Sequence, residues 1–202
     1  MAMPPGRAAM LLLGLALTMA PAGALAQEWK AYSYPSPGFA VQFPAPPDIE
    51  QDTFKGFPGK DIPGQALPMT RYVLRQDGIV FSLEVIDFSA TQADSLETIA
   101  EAEKSFATAG KVTVAIDSRI NREFGRELSV AGDDGSRSTV AIFFVSRQLV
   151  ELVARALPPN PLARSADAIQ FQQSLQFVGP NEALGGLNHY AGRGAPSAGP
   201  GR

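Results

Sequence analysis

Few side chains of this 202-residue chain could carry catalysis. Cysteine is absent, and the one histidine, His189, stands in a glycine- and proline-rich stretch near the C-terminus. General bases, thiolate nucleophiles and zinc sites depend largely on these two residue types. The sequence also lacks the G-x-S-x-G and S-x-x-K patterns that activate serine, and it has no glycine-rich phosphate loop. We therefore expect a protein that is not an enzyme and that holds no cofactor or metal.

Carboxylates are the remaining route to catalysis. Asp133 and Asp134 are flanked by glycines, a pattern that favours a turn over a Ca²⁺ site, because Ca²⁺ needs six or more oxygen ligands. Glu151 and Arg155 fall on one predicted strand, where we interpret them as paired. A carboxylate-based hydrolase stays open as a hypothesis, and it requires Asp and Glu side chains that converge in a cleft.

The second candidate site is a segment that could bind another protein. Phe54, Lys55, Phe57 and Lys60 alternate two aromatic residues with two lysines. One interpretation is a loop that docks a protein partner. The alternative is that one phenylalanine folds back onto the sheet while the lysines keep the surface soluble, since isolated exposed apolar residues are common.

The surrounding residues 44–68 contain six prolines and show no hydrophobic periodicity. Proline removes a backbone donor and fixes φ, so this density disfavours a helix or a central strand. The sequence predicts a long surface loop here, with at most a short edge strand near residues 52–54.

The elements that must position these residues are clearest in the stretch 138–177. Two β-rich runs flank Ser146-Arg147-Gln148, and the first is apolar on both faces, which predicts a central, covered strand of a hairpin. A proline-rich break and a short amphipathic helix follow, with Ser165 as the predicted N-cap. The inward face of that helix is predicted to hold three residues, Ala168, Phe171 and Leu175.

Earlier segments predict more strands and one further helix. Residues 39–43 alternate as a strand, and Asp77-Gly78 joins two β-rich runs as a hairpin turn. A helix is predicted over residues 91–109. Asp94 is its expected N-cap with Glu97 three residues on, and Gly110 its expected left-handed end. The predicted inward stripe of this helix is Leu96, Ile99, Glu103 and Phe106.

These elements together predict an α+β fold with a twisted antiparallel sheet covered by helices on both faces.

Residues 1–26 have the pattern of a signal peptide, with cleavage expected after Ala26, which predicts a periplasmic or secreted protein. Residues 27–178 are predicted to form one domain, and 179–202 a disordered tail rich in glycine and proline. We expect no membrane span after signal cleavage. The formal net charge of −3 includes no basic block, so we expect no nucleic-acid surface.

Four stretches in order resemble the PsbP-like family. They are a leading Trp29-x-x-Tyr32 followed by G-F-A-V-Q-F-P, then G-R-E-L at residues 125–128, then the hairpin, and last a helix reading A-x-x-F-x-x-S-L-x-F. The resemblance covers Trp29 to Phe177. It implies an α/β/α sandwich, as in the photosystem II extrinsic subunit and in nuclear-import regulators that bind the Ran GTPase. It also implies a non-enzymatic binding or assembly role, and it carries over no functional residue.

The sequence therefore predicts an exported, non-catalytic binding or accessory domain with an unknown protein partner. That partner would meet the loop or an edge of the sheet. The alternative function is a small-molecule carrier with an apolar cleft between the sheet and a helix, and this requires a pocket of several hundred Å³.

Overall fold

The structure, a computed structural model, describes residues 28–34, 38–61 and 66–177. The predicted signal peptide and the predicted disordered tail lie outside these residues. Within them, the helices are α1 (Ser95–Ala109) and α2 (Ser165–Gln173), with a short 3-10 helix at Pro161–Arg164. The strands are β1 (Lys30–Tyr34), β2 (Phe39–Phe43), β3 (Asp48–Phe54), β4 (Gly56–Phe57), β5 (Lys60–Asp61), β6 (Leu67–Gln76), β7 (Ile79–Asp87), β8 (Lys111–Ile120), β9 (Glu123–Ala131), β10 (Arg137–Val145), β11 (Gln148–Ala156) and β12 (Gln176–Phe177).

A seven-stranded sheet forms the centre of the molecule. Its order is β3-β6-β7-β11-β10-β9-β8, and every neighbouring pair is antiparallel. The predicted hairpin is β10–β11, and β11 is the fourth of the seven strands. Its central position is confirmed, because β10 and β11 are each paired on both sides and are largely buried.

The two faces of this sheet pack against different elements. Ile142 in β10 belongs to an apolar cluster with Ile99 and Ala102 of α1. Its neighbour Phe143 points the other way and belongs to a second cluster, with β2, β12 and Phe171 of α2. Side chains alternate along a strand, so one strand contributes to both cores. The described residues are mostly antiparallel sheet with two α-helices, as an α+β class requires.

A three-stranded sheet, β1-β2-β12, lies on the same side of the central sheet as α2. Its β2 matches the predicted strand at residues 39–43. The turn predicted at Asp77-Gly78 is also confirmed, since both residues have positive φ, 50° and 77°, and they join β6 to β7.

The prediction of a long irregular loop over residues 44–68 is wrong. β3 is a seven-residue edge strand, β4 and β5 form a small hairpin, and β6 starts before the segment ends. The prolines are compatible with this because of where they fall. Pro68 lies opposite Thr53 of β3, one position before β6 begins to pair with β7 at Met69, so its missing N–H breaks no bond to β7.

The N-terminal end of α1 forms as predicted, but its C-terminal end differs from the prediction. The Asp94 carboxylate accepts a hydrogen bond from the Glu97 N–H at 2.9 Å, as an N-cap does. Gly110 has φ 168°, which is extended backbone, so the prediction of a left-handed end is wrong. Glycine is needed there for close approach instead, because a Cβ would lie 2.5 Å from the Ala131 carbonyl oxygen.

The predicted inward stripe of α1 is also partly wrong. Leu96 is 61% exposed, because the buried face is formed by Thr98, Ile99 and Ala102 and the first turn points away from the sheet. Glu103 contacts Arg126 of β9 rather than apolar side chains.

The prediction for α2 is right about its face and wrong about its cap. Ala168, Phe171 and Leu175 are buried, as expected. The N-cap is Arg164, and Ser165 is the first helical residue, with its hydroxyl donating to the Leu162 carbonyl at 2.9 Å. The preceding 3-10 turn already satisfies this end of the helix, which is why Ser165 is not needed as a cap.

Candidate functional site

The predicted binding residues do not form one exposed surface. Phe57 is buried and Phe54 half-buried, with their ring centroids 5.1 Å apart, and Phe54 also lies 6.0 Å from Phe88. Both aromatics therefore contribute to the core on the α1 side of the sheet. Lys55, between them, is exposed.

Lys60 joins the β4–β5 hairpin to α1. Its Nζ donates to Glu97 at 2.7 Å and lies 3.5 Å from a carboxylate oxygen of Glu101. The hydrogen bond to Glu97 raises the pKa of Lys60 above its usual value. Lys60 and Phe57 line an open cleft of about 270 Å³ at the start of α1. Lys60 is exposed like Lys55, but its ammonium is engaged within the molecule by Glu97 and Glu101.

A larger cleft lies elsewhere, between the two sheets. We call it the tyrosine cleft, and its volume is about 470 Å³. Strand β1, the segment that links β2 to β3, and the start of β3 form its walls. It is lined by Lys30, Tyr32, Tyr34, Pro44, Ala45, Pro46, Pro47 and Ile49.

The tyrosines of this cleft are held by aromatic packing. The ring centroid of Tyr34 lies 4.4 Å from that of Tyr72 and 5.0 Å from that of Phe39. Burial raises the pKa of the Tyr34 hydroxyl above its usual range, and Tyr72 and Tyr32 add to this effect. Like an ordinary tyrosine, Tyr34 is protonated at neutral pH, and its hydroxyl can donate a hydrogen bond to a ligand.

Ile49 gives the cleft an apolar, solvent-accessible wall. Its side chain is 54% exposed although it is a large aliphatic residue in a strand. Lys30 is the charged residue among the lining side chains. The arrangement can bind an apolar or aromatic group with hydrogen-bonding edges, and its lining holds no pair of carboxylates for acid–base chemistry.

A row of charged residues crosses the opposite face of the central sheet. Successive registers place Glu50, Arg71, Glu84 and Glu151 side by side on β3, β6, β7 and β11. The Arg71 guanidinium donates to Glu84 at 2.7 Å and lies 3.8 Å from Glu50. We call these four residues the charge row.

Glu151 is the buried member of the charge row. It is 9% exposed in the middle strand of the sheet, next in register to Glu84. Burial raises the pKa of its carboxyl to about 8, and the negative charge of Glu84 adds to this effect. Glu151 is thus held protonated at neutral pH beside Glu84, which is paired with Arg71.

The predicted pairing of Glu151 with Arg155 is wrong. The Arg155 guanidinium donates to Asp134 at 2.6 Å and to the Ser136 hydroxyl at 3.1 Å. Two residues four apart on a strand are separated by about 13 Å, too far for an ion pair. Asp134 lies in the predicted Asp133-Asp134 turn, where hydrogen bonds from Ser136 lower the pKa of its carboxyl to about 2.

The hydrolase hypothesis required carboxylates converging in a cleft. Three carboxylates, Asp94, Glu97 and Glu101, line the cleft at the start of α1, and none lines the tyrosine cleft. Asp94 caps the helix through the Glu97 N–H, and Glu97 and Glu101 both contact Lys60, so these carboxylates are engaged by partners within the molecule. Among the described residues, no group of three or more His, Cys, Asp or Glu side chains could hold a metal ion. Neither helix in this part of the chain is long and apolar enough to cross a membrane.

Comparisons with known proteins leave the family of this chain open. No protein-family model matches it, and no curated protein matches it. Among solved structures, the chain is similar to a Pseudomonas aeruginosa protein of unknown function, described as a candidate regulator. The two are 11% identical with a TM-score of 0.39, over 72% of this chain and 94% of that chain. A likeness this distant carries no argument.

Sequence reasoning missed both the tyrosine cleft and the charge row. Strand β1 carries Lys30, Tyr32 and Tyr34 at alternate positions, so these side chains share one face. This pattern was a signal for a binding surface. Glu151 interrupts the apolar run L-V-E-L-V, which was a signal for a buried carboxyl. What the sequence could not supply was the register that brings Glu84 beside it.

Proposed function

We propose that this protein is an exported, non-catalytic binding domain whose tyrosine cleft receives a segment of a protein partner. The observation that carries the proposal is the cleft itself: about 470 Å³, lined by tyrosines, prolines and an exposed isoleucine. Tyrosine combines a large apolar ring with a hydrogen-bonding edge, which is why it is enriched where proteins bind one another.

The composition of the lining favours an extended peptide over a compact ligand. Tyr32 and Tyr34 give the cleft an aromatic wall, and aromatic-lined grooves bind extended, proline-rich segments. Lys30 adds a positive charge at the wall, which favours a segment with an acidic residue or a carboxylate. This surface replaces the predicted set Phe54, Lys55, Phe57 and Lys60 as the proposed docking site, because two of those residues are packed into the core.

Replacing Ile49 by lysine is expected to weaken partner binding by at least about tenfold, because it removes an exposed apolar wall of the cleft and desolvates a charge there. Leu96→Lys is the matched control: Leu96 is also exposed and aliphatic, but it lies on α1 outside the cleft. Both variants should unfold at the denaturant midpoint of the wild type, within error. The measurement is retention of partner proteins from cell extract by the three immobilised chains.

Two outcomes would redirect this proposal. Equal retention by Ile49→Lys and Leu96→Lys would contradict the cleft as the docking site. A small apolar molecule extracted from the wild type but missing from Ile49→Lys would favour the carrier function. The cleft volume lies in the range of small-molecule pockets, although its walls come from two sheets and not from a sheet and a helix.

The export part of the proposal rests on residues 1–26, which carry the signal-peptide pattern. We expect the chain recovered from the periplasm or medium to begin at Gln27. Intact-mass measurement tests this, and a recovered chain that retains residue 1 would contradict it.

We also propose the PsbP-like α/β/α arrangement for the domain. It is supported by α1 side chains in one apolar cluster and α2 side chains in the other. An experimental structure that superposes on PsbP-like domains through both helices would bear this out. Superposition limited to the β10–β11 hairpin would contradict it.

A further inference from the structure

The two edges of the central sheet differ in how they are protected. Strand β3 carries Asp48, Glu50 and Asp52 in alternation, so a second β3 would meet three like charges. Strand β8 is ten residues long and pairs only with β9 among the described residues. Its Val114 and Ile116 are 48% and 52% exposed. A long edge strand with exposed β-branched residues is a template for pairing with another strand.

We propose that the protein forms a twofold symmetric dimer in which β8 pairs antiparallel with β8 of a second copy, with Ser118 on the axis. The inference is independent of the tyrosine cleft, because none of the lining residues of the cleft lies on β8. Within this register Ile116 lies opposite Ile120 of the second copy. Asp117 lies opposite Arg119 of the second copy, and symmetry repeats both contacts.

Charge complementarity selects this register. An axis on Asp117 would oppose two carboxylates, and an axis on Ile116 would leave Asp117 and Arg119 opposite Ala115 and Thr113. Opposite charges directly across an antiparallel pair are stabilising, whereas like charges are destabilising. Placing Ser118 on the axis gives two opposite-charge pairs and two isoleucine pairs.

Both charged side chains are available for the contact. Asp117 Oδ1 accepts from Arg126, and Oδ2 accepts no hydrogen bond within the described residues. The Arg119 guanidinium carbon lies 5.8 Å from the ring centroid of Phe124, and the side chain is exposed. The guanidinium can therefore reach across to a carboxylate of a neighbouring strand without breaking an ion pair of its own.

The apolar side of the paired strands would extend an existing core. Ile120 packs against the cluster that contains Phe177 and Phe143, and Ile116 lies on the same face of β8 because side chains alternate. Pairing would also satisfy the outward backbone donors and acceptors of residues 116–120, the part of β8 that faces β8 of the second copy.

A single cysteine tests the axis, because the natural chain has none. In an antiparallel pair a residue on the axis faces its own copy with Cα atoms about 4.5–5.5 Å apart, within the range for a disulfide. We expect Ser118→Cys to give a disulfide-linked dimer under mild oxidation. Thr113→Cys, on the same strand but more exposed, is the control and should stay monomeric in non-reducing gels, because only random collision would link it.

A charge exchange tests the contact without a covalent bond. Asp117→Arg and Arg119→Asp should each weaken the dimer about tenfold or more by sedimentation equilibrium, and the double variant should restore it. The double variant would not restore the dimer if Asp117 acted only within its own chain, through its contact with Arg126. Each of three results would overturn the proposal. The wild-type chain could be monomeric at about 100 µM, positions 113 and 118 could crosslink equally, or the dimer could be insensitive to both charge changes.

Discussion

Replacing Glu151 by glutamine is expected to raise the free energy of unfolding at pH 8 by roughly 3 kcal/mol. Burial raises the pKa of this carboxyl from 4.5 to about 8 in the folded chain. The unfolded chain therefore releases its proton near pH 4.5, whereas the folded chain keeps it to about pH 8. Between these values the folded state binds more protons, so the stability of the wild type falls as pH rises and then levels off.

Glutamine has nearly the same shape and no proton to lose, so the variant should escape this loss. A pKa difference is equivalent to about 1.4 kcal/mol per unit, which sets an upper limit of roughly 5 kcal/mol, and relaxation around an ionised Glu151 lowers that figure. We expect the advantage of Glu151→Gln to be near zero below the unfolded pKa of 4.5 and to grow from there to pH 8 in urea unfolding.

Glu50→Gln is the matched control for this series. Glu50 belongs to the same charge row but is exposed at the edge strand β3. Its replacement should change stability by less than about 1 kcal/mol, with no growing advantage toward pH 8, since surface ion pairs contribute little. A Glu151→Gln variant that shows the same pH profile as the wild type would contradict the buried-acid assignment.

The central part of the fold was predictable because its signals are local. Strand β10 is apolar on both faces, which only a covered central strand tolerates. Asp77-Gly78 gives two residues that accept positive φ between two β-rich runs. At these positions the residue types favour the backbone conformation that the structure has, so the sequence pattern was sufficient to predict both elements.

The edge strands were harder to predict because their sequences carry little hydrophobic pattern. Strand β3 reads D-I-E-Q-D-T-F and is almost wholly exposed, so backbone pairing with β6 defines it. The turn between β8 and β9 uses Asn121 and Arg122 at φ 52° and 85°, and arginine does not signal such a turn. Tertiary pairing overrides local preference at both places.

The candidate site was harder still, because its parts are distant in the chain. The tyrosine cleft needs β1, the prolines and β3 to meet, and no spacing rule specifies this. Gly125 is a second feature that the sequence alone could not explain. It belongs to the G-R-E-L motif, but glycine is required there because a Cβ would lie 2.4 Å from the Ile142 carbonyl oxygen. Such close approach becomes visible only once β9 is registered against β10.

Replacing Phe171 by alanine is expected to lower the free energy of unfolding by about 4 kcal/mol. Phe171 is fully buried, and its ring centroid lies 4.9 Å from Phe43 in the small sheet and 5.1 Å from Phe81 in the central sheet. Truncating a buried phenylalanine typically costs 3–5 kcal/mol through lost burial and the cavity left behind. Helix α2 has nine residues, too few to be stable without packing, so it depends on this side chain.

The control is Ile169→Ala on the same helix, where the side chain is 44% exposed and the loss should stay below about 1 kcal/mol. Because Phe171 contacts both sheets, its loss should shift one cooperative transition in denaturant and leave its slope unchanged. Equal losses for the two variants would show that α2 does not hold the sheets together. A second transition in Phe171→Ala would show that the small sheet, with the β1 wall of the tyrosine cleft, unfolds separately from the central sheet.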